Sequence, residues 1–124
     1  DGQRAGIIAY QDANNYFTIT RGYTTEKYGR VYTVTKEVNG KCEEVAFTSD
    51  VSFKSEAKLK IEKIGTTYKA YVKTDTSNWY LVGQSNDVNL TNPRVGIYAT
   101  KTDAKVNDIN ADFNSFKLQP VVIK

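Results

Sequence analysis

Short runs in which apolar and polar residues alternate recur along this chain about every 8–12 residues, each closed by a turn signal. With no amphipathic helix among them, that rhythm confines the chain to an antiparallel sandwich or barrel. Residues 30–38 set Tyr32, Val34 and Val38 on one side and Thr33, Thr35 and Glu37 on the other. Asn39-Gly40 follows, the strongest short hairpin signal because both turn positions favour φ > 0, and residues 41–47 supply the returning strand. Residues 57–64 turn Ala57, Leu59 and Ile61 inward against Lys58, Lys60 and Glu62. After Gly65-Thr66-Thr67, residues 68–74 oppose Tyr68, Ala70 and Val72 to Lys69, Tyr71 and Lys73. Residues 79–84 and 94–100 continue the pattern, separated by a polar loop that Pro93 closes. In the second of them Val95, Ile97 and Ala99 face one way and Arg94, Gly96 and Tyr98 the other. A strand over residues 109–118, with Ile109, Ala111, Phe113, Phe116 and Leu118, finishes the sheet. About nine strands and no linker, repeat or low-complexity tract predict a single β domain over residues 1–124.

The front of the chain, AGIIAYQDANNYFTITR over residues 5–21, reads as two strands around a polar turn. Residues 5–10 are apolar on both faces, as in a central strand. The QDANN turn is rich in residues that tolerate tight backbone geometry. Phe17 and Ile19 then alternate with Thr18 and Thr20, the period of a half-buried strand. The turn gathers Gln11, Asp12 and Asn14 near Tyr10 and Tyr16, a set of groups suited to a polar, uncharged ligand such as a sugar. The same residues suit an ordinary turn.

Composition narrows the chemistry. The 124 residues bury about two thirds of their unfolded surface, enough for one core without disulfides. Nine tyrosines, with plentiful Thr and Val, favour β structure. The sequence has no histidine, which removes Ser-His-Asp and Cys-His nucleophile systems and the commonest transition-metal ligand. Cys42 is alone, so no internal disulfide forms, and it has no candidate base beside it. Glu43 and Glu44 are adjacent and so point to opposite faces of a strand, unable to share one substrate. A glycosidase needs two carboxylates on one face, and no spacing here supplies them. The net charge of +3 is spread over scattered lysines, without the clustered Lys and Arg of a nucleic-acid patch. No apolar run approaches the roughly 20 residues of a membrane span. No leader is visible; the chain reaches its first strand within a few residues, as does the C-terminal part of a longer protein.

Three stretches together, AGIIAYQDANNYFTITR, LKIEKIGTTYKAYVKTDTSNWYLVG and the closing NPRVGIYAT with INADFNSFKL, resemble one family. It is that of the concanavalin A-like (lectin/glucanase) jelly-roll domains at the C-terminus of bacterial family 43 glycoside hydrolases, the xylosidases and arabinofuranosidases. The resemblance spans residues 5–118 and speaks to fold more than to ligand. It implies an all-β antiparallel sandwich, a jelly roll, with strands ahead of Ala5 that this chain lacks. Their absence would leave an unpaired edge for another chain segment to cover.

The resemblance also implies a non-catalytic carbohydrate-binding or accessory domain of a secreted or cell-surface bacterial enzyme. Its partners would be a plant cell-wall oligo- or polysaccharide and the adjacent catalytic domain of the same protein, with neither nucleic acid nor membrane. Sugars are held by aromatic rings under their C–H faces and by planar polar groups on their hydroxyls. The candidates on a concave sheet face are Tyr10, Gln11, Asp12, Tyr16, Arg21, Tyr71, Trp79, Tyr80, Arg94 and Tyr98. Each has a plainer role open to it: Trp79 as core, Tyr71 as cross-strand packing, Asp12 as turn former, the arginines as ion-pair partners. Related sandwiches hold a structural calcium ion with a late-strand carboxylate, which makes Asp112 the metal candidate, although calcium needs six or more oxygens. The competing reading is a structural or adhesive sandwich of a cell-surface protein without sugar affinity.

Overall fold

A computed structural model describes residues 3–24, 29–49, 57–73 and 78–101. These form eight strands: β1 (Gln3–Asp12), β2 (Asn15–Thr24), β3 (Gly29–Val38), β4 (Lys41–Ser49), β5 (Lys58–Ile64), β6 (Thr67–Lys73), β7 (Tyr80–Ser85) and β8 (Arg94–Lys101). They are arranged as two antiparallel sheets, one ordered β4-β3-β2-β1-β8 and the other β5-β6-β7. The expected all-β sandwich is therefore the observed one. The strand expected over residues 109–118 lies outside the described residues.

Alternation decides which side chains meet between the sheets. Ala9 of β1, Phe17 and Ile19 of β2 and Val34 of β3 face Tyr68 and Ala70 of β6, and all are buried. Ile7, Val45, Leu59, Ile61 and Val82 pack around them. Full burial of each large side chain contributes about 1.5–3 kcal/mol, so this cluster dominates the stability of the sandwich. Two further core residues, Val88 and Leu90, come from the β7–β8 connection. Its polar composition had suggested only a loop, and the two apolar residues within it turn out to be its anchors.

β1 is bonded to β2 on one side and to β8 on the other, so a later segment of the chain covers the edge beside the opening strand. One expectation is corrected: β2 is not half-buried, since Thr18 and Thr20 are as enclosed as Phe17 and Ile19. The third strand repeats this, with Val31 and Thr33 buried on the side away from the second sheet. A sheet whose middle strands are enclosed on both faces cannot be recognised by the period of one strand alone.

The turns carry the predicted chemistry. Asn39 and Gly40 both have positive φ, 53° and 81°, the geometry a two-residue hairpin of this twist requires. That turn is tied to the β1–β2 turn. Gly40 N–H donates to the Asn14 carbonyl at 3.0 Å, and Asn39 N–H donates to Asn15 Oδ1 at 3.0 Å. The two hairpin ends are thus clasped side by side.

A polar cross-tie joins the sheets. Lys36 of β3 lies on the side facing the second sheet, its side chain 13% exposed. Its ammonium donates to Ser85 Oγ at 3.0 Å and to Asp87 Oδ1 at 2.8 Å. The Ser85 hydroxyl donates to the same carboxylate oxygen at 2.6 Å. The Lys36 stem is covered while its charge reaches acidic partners at the exposed rim, Asp87 and, at 3.7 Å, Glu43.

Candidate functional site

On the outer face of the five-stranded sheet the registers align one row of side chains across every strand. Cys42, Glu37, Tyr16, Tyr10 and Arg94 stand opposite one another in turn. Tyr10 and Tyr16 stack with ring centroids 6.5 Å apart and planes 20° from parallel. The Tyr16 hydroxyl donates to Glu37 Oε1 at 3.2 Å. Burial, reinforced by the neighbouring Cys42 and Glu37, holds the Tyr16 phenol protonated far above the usual tyrosine range. It is therefore a fixed donor at any physiological pH.

Tyr98 of β8 is on the same face two residues from Gly96, and pairs with Gly6 across to β1. Between the Tyr10–Arg94 row and Tyr98 runs the row of Gly96, Ile8, Thr18 and Thr35. At Gly96 nothing lies within 4 Å of where a side chain would begin, so this position is open. Ile8 and Thr18 of that row are themselves buried, so the accessible part of the face is its edge at Tyr10, Arg94 and Gly96. That edge can stack against a pyranose ring and hydrogen-bond its hydroxyls.

The other predicted residues are elsewhere. Gln11 and Asp12 serve the turn: Gln11 Oε1 accepts from Thr91 N–H at 2.7 Å, and Gln11 Nε2 donates to Asp12 Oδ2 at 3.0 Å. Asp12 Oδ1 accepts from Asn14 N–H at 2.9 Å and from Asn15 Nδ2 at 3.0 Å. Those bonds, the Asn15 side chain foremost, hold the Asp12 carboxyl below the ordinary carboxylate range. Arg21 follows Phe17 and Ile19 onto the opposite face of the sheet, its guanidinium 5.7 Å from the Tyr32 ring centre. Tyr71 and Trp79 lie on the far side of the sandwich, on the outer face of β5-β6-β7, with Lys60 over both rings. Trp79, 37% exposed, is no core residue, and Tyr80 is more exposed still. The ten candidates therefore do not share one groove; Tyr10, Tyr16, Arg94 and Tyr98 do share a face. Glu37, which sequence reasoning left out, joins them through a register that only cross-strand pairing reveals. Asp112 lies outside the described residues, and among the described residues no three His, Cys, Asp or Glu side chains come together as a metal site.

Two stacked antiparallel sheets define a concanavalin A-like sandwich. The chain belongs to the family of β-xylosidase C-terminal concanavalin A-like domains (GH43_C2), the accessory domains of family 43 glycoside hydrolases, whose model matches residues 1–119. Solved structures agree on the fold. The GH43 protein BlXynB from Bacillus licheniformis is similar with a TM-score of 0.73 and 19% identity, over 85% of this chain and 22% of that one. A single-site mutant of the same protein gives a TM-score of 0.74 and 19% identity, over 86% and 22%. The chain thus spans about a fifth of the length of these structures. A comparison with curated proteins finds no match.

Proposed function

We propose that this domain is a non-catalytic accessory module that contacts a neutral glycan on the outer face of its five-stranded sheet. The observation that carries the reading is the row of Arg94, Tyr10 and Tyr16 beside Tyr98, with the open Gly96 position between them. Family membership supports an adjacent family 43 catalytic domain as partner, and a secreted or cell-surface bacterial enzyme acting on plant cell-wall polysaccharide as its setting. The lack of histidine supports a binding role over a catalytic one.

Titration calorimetry against xylan, arabinan and fructan fragments tests it, with Tyr98→Ala and Tyr10→Ala as variants. At least one fragment binds, and each variant weakens binding about tenfold, equivalent to 1.4 kcal/mol. Binding that neither variant alters overturns the site. No binding to any fragment favours the structural or adhesive sandwich instead, a reading helped by the turn duties already taken up by Gln11 and Asp12.

A further inference from the structure

The outer face of the three-stranded sheet has a composition unlike the rest of the surface. Alternation directs Lys58, Lys60 and Glu62 of β5 and Lys69, Tyr71 and Lys73 of β6 to that side, with Gln84 of β7 beside Lys69. Among the described residues, four lysines against one carboxylate give this face three net positive charges, as many as the whole chain carries. The one carboxylate is already engaged, Glu62 accepting from the Tyr71 hydroxyl. Lys58 and Lys73 stand directly opposite each other, an arrangement that costs stability in a sheet.

The cations are organised around aromatic rings. Lys60 Nζ is 4.4 Å from the Tyr71 ring centre and 4.6 Å from that of Trp79, while Lys73 Nζ is 5.6 Å from the same Trp79 ring. Two ammonium groups are thus held near one indole, on a side where Trp79 and Leu81 stay 37% and 42% exposed. Cation–π contact positions a lysine without neutralising it, so the fixed charge remains available to an anion.

We propose that this face binds a carboxylate-bearing sugar polymer, uronic acid units meeting Lys60 and Lys73 while the exposed edge of Trp79 packs on the sugar ring. A polymer of bases and phosphates fits less well. Base stacking needs open ring faces, and Lys60 covers a face of both Tyr71 and Trp79. The choice of a glycan rests on the accessory role proposed above. The site does not: it uses the opposite sheet from Tyr10 and Tyr98, so either can fail alone.

Affinity electrophoresis of the protein through gels containing polygalacturonate, neutral arabinoxylan or single-stranded DNA tests the inference. Polygalacturonate retards the protein, and the retardation fades as salt rises. Lys60→Gln combined with Lys73→Gln, and separately Trp79→Ala, weaken it at least tenfold while the protein stays folded by thermal melting. Lys63→Gln, which removes an equal charge from an exposed position off this face, leaves it intact. No retardation by polygalacturonate, equal loss in Lys63→Gln, or DNA retarding the protein as strongly through the same lysines each overturns the assignment. A neutral-glycan titration of the same variants reads the other face separately.

Discussion

Phe17 of β2 and Tyr68 of β6 meet across the gap between the sheets, their ring centroids 5.3 Å apart and their planes tilted by 39°. Both are buried almost completely, and the contact stands at the middle of the core cluster. Phe17→Ala removes one ring of this pair and leaves a cavity that neighbours fill only in part. The expected cost is about 3–5 kcal/mol by denaturant unfolding. A cost below about 1 kcal/mol would show that the sheets do not depend on this contact.

The Tyr68 hydroxyl is buried with no hydrogen-bond partner among the described residues. Tyr68→Phe removes that desolvated group while keeping the ring, so the variant gains about 1 kcal/mol or more. A pH effect accompanies it. Burial raises the Tyr68 phenol above its ordinary value of 10.0, and burial raises Tyr16 likewise. The folded state keeps protons that the unfolded chain gives up. Stability is therefore complete below about pH 10 and falls as the pH rises further. Tyr68→Phe flattens that alkaline fall, which paired denaturation curves at neutral and alkaline pH measure directly.

On the acid side Asp87 contributes, alongside Asp12. The hydrogen bonds from Lys36 and Ser85, with the Lys36 charge, lower the Asp87 carboxyl from the ordinary 3.8. A depressed carboxylate contributes stability above its unfolded value, and that contribution is lost as the pH falls through the folded one. Melting temperature should drop from about pH 4 downward. Asp87→Asn lowers it at neutral pH and removes part of the acid dependence. If wild type and Asp87→Asn show parallel acid curves, the cross-tie between the sheets contributes nothing measurable.

At Gly83 of β7 the two sheets approach closely. A methyl group there would stand 2.7 Å from Ala46 Cβ and 3.6 Å from Val34 Cγ2. Gly83→Ala is expected to cost about 1–3 kcal/mol through overpacking. Ala46→Gly in the same chain makes room, so the double variant loses less than the two single losses combined. Additive losses would mean that the two positions do not touch.

Much of this architecture is legible from local signals. Asn39-Gly40 specifies its hairpin, and the alternation of Tyr68, Ala70 and Val72 names the inward face of β6, because turn dihedrals and strand pleat are properties of neighbouring residues. The central position of β1 is also visible in its two apolar faces. Relationships set by pairing are not visible. Nothing near Thr33 in sequence announces that its polar side is enclosed, and nothing near Lys36 announces Ser85 and Asp87, about fifty positions away. The candidate site shows the same division. Tyr10, Tyr16, Arg94 and Tyr98 are recognisable as sugar-type residues, and registers among three strands bring them to one face. Arg21, one of the same residue types, falls on the opposite face through a parity that only the pairing fixes.

The clasp between the turns at Asn14-Asn15 and Asn39-Gly40 has a mechanical meaning. β2 and β3 are joined through residues 24–29 at one end, and the clasp pins the other, so the pair is anchored at both ends. A slip of one residue would break both clasp bonds and turn every side chain of the strand to the other face. The Tyr16–Glu37 pair sits only one or two residues inside this pin. Its alignment is thus referenced to a backbone fixture and not to the rotamers of its neighbours, much as a jig sets the first tooth of a comb.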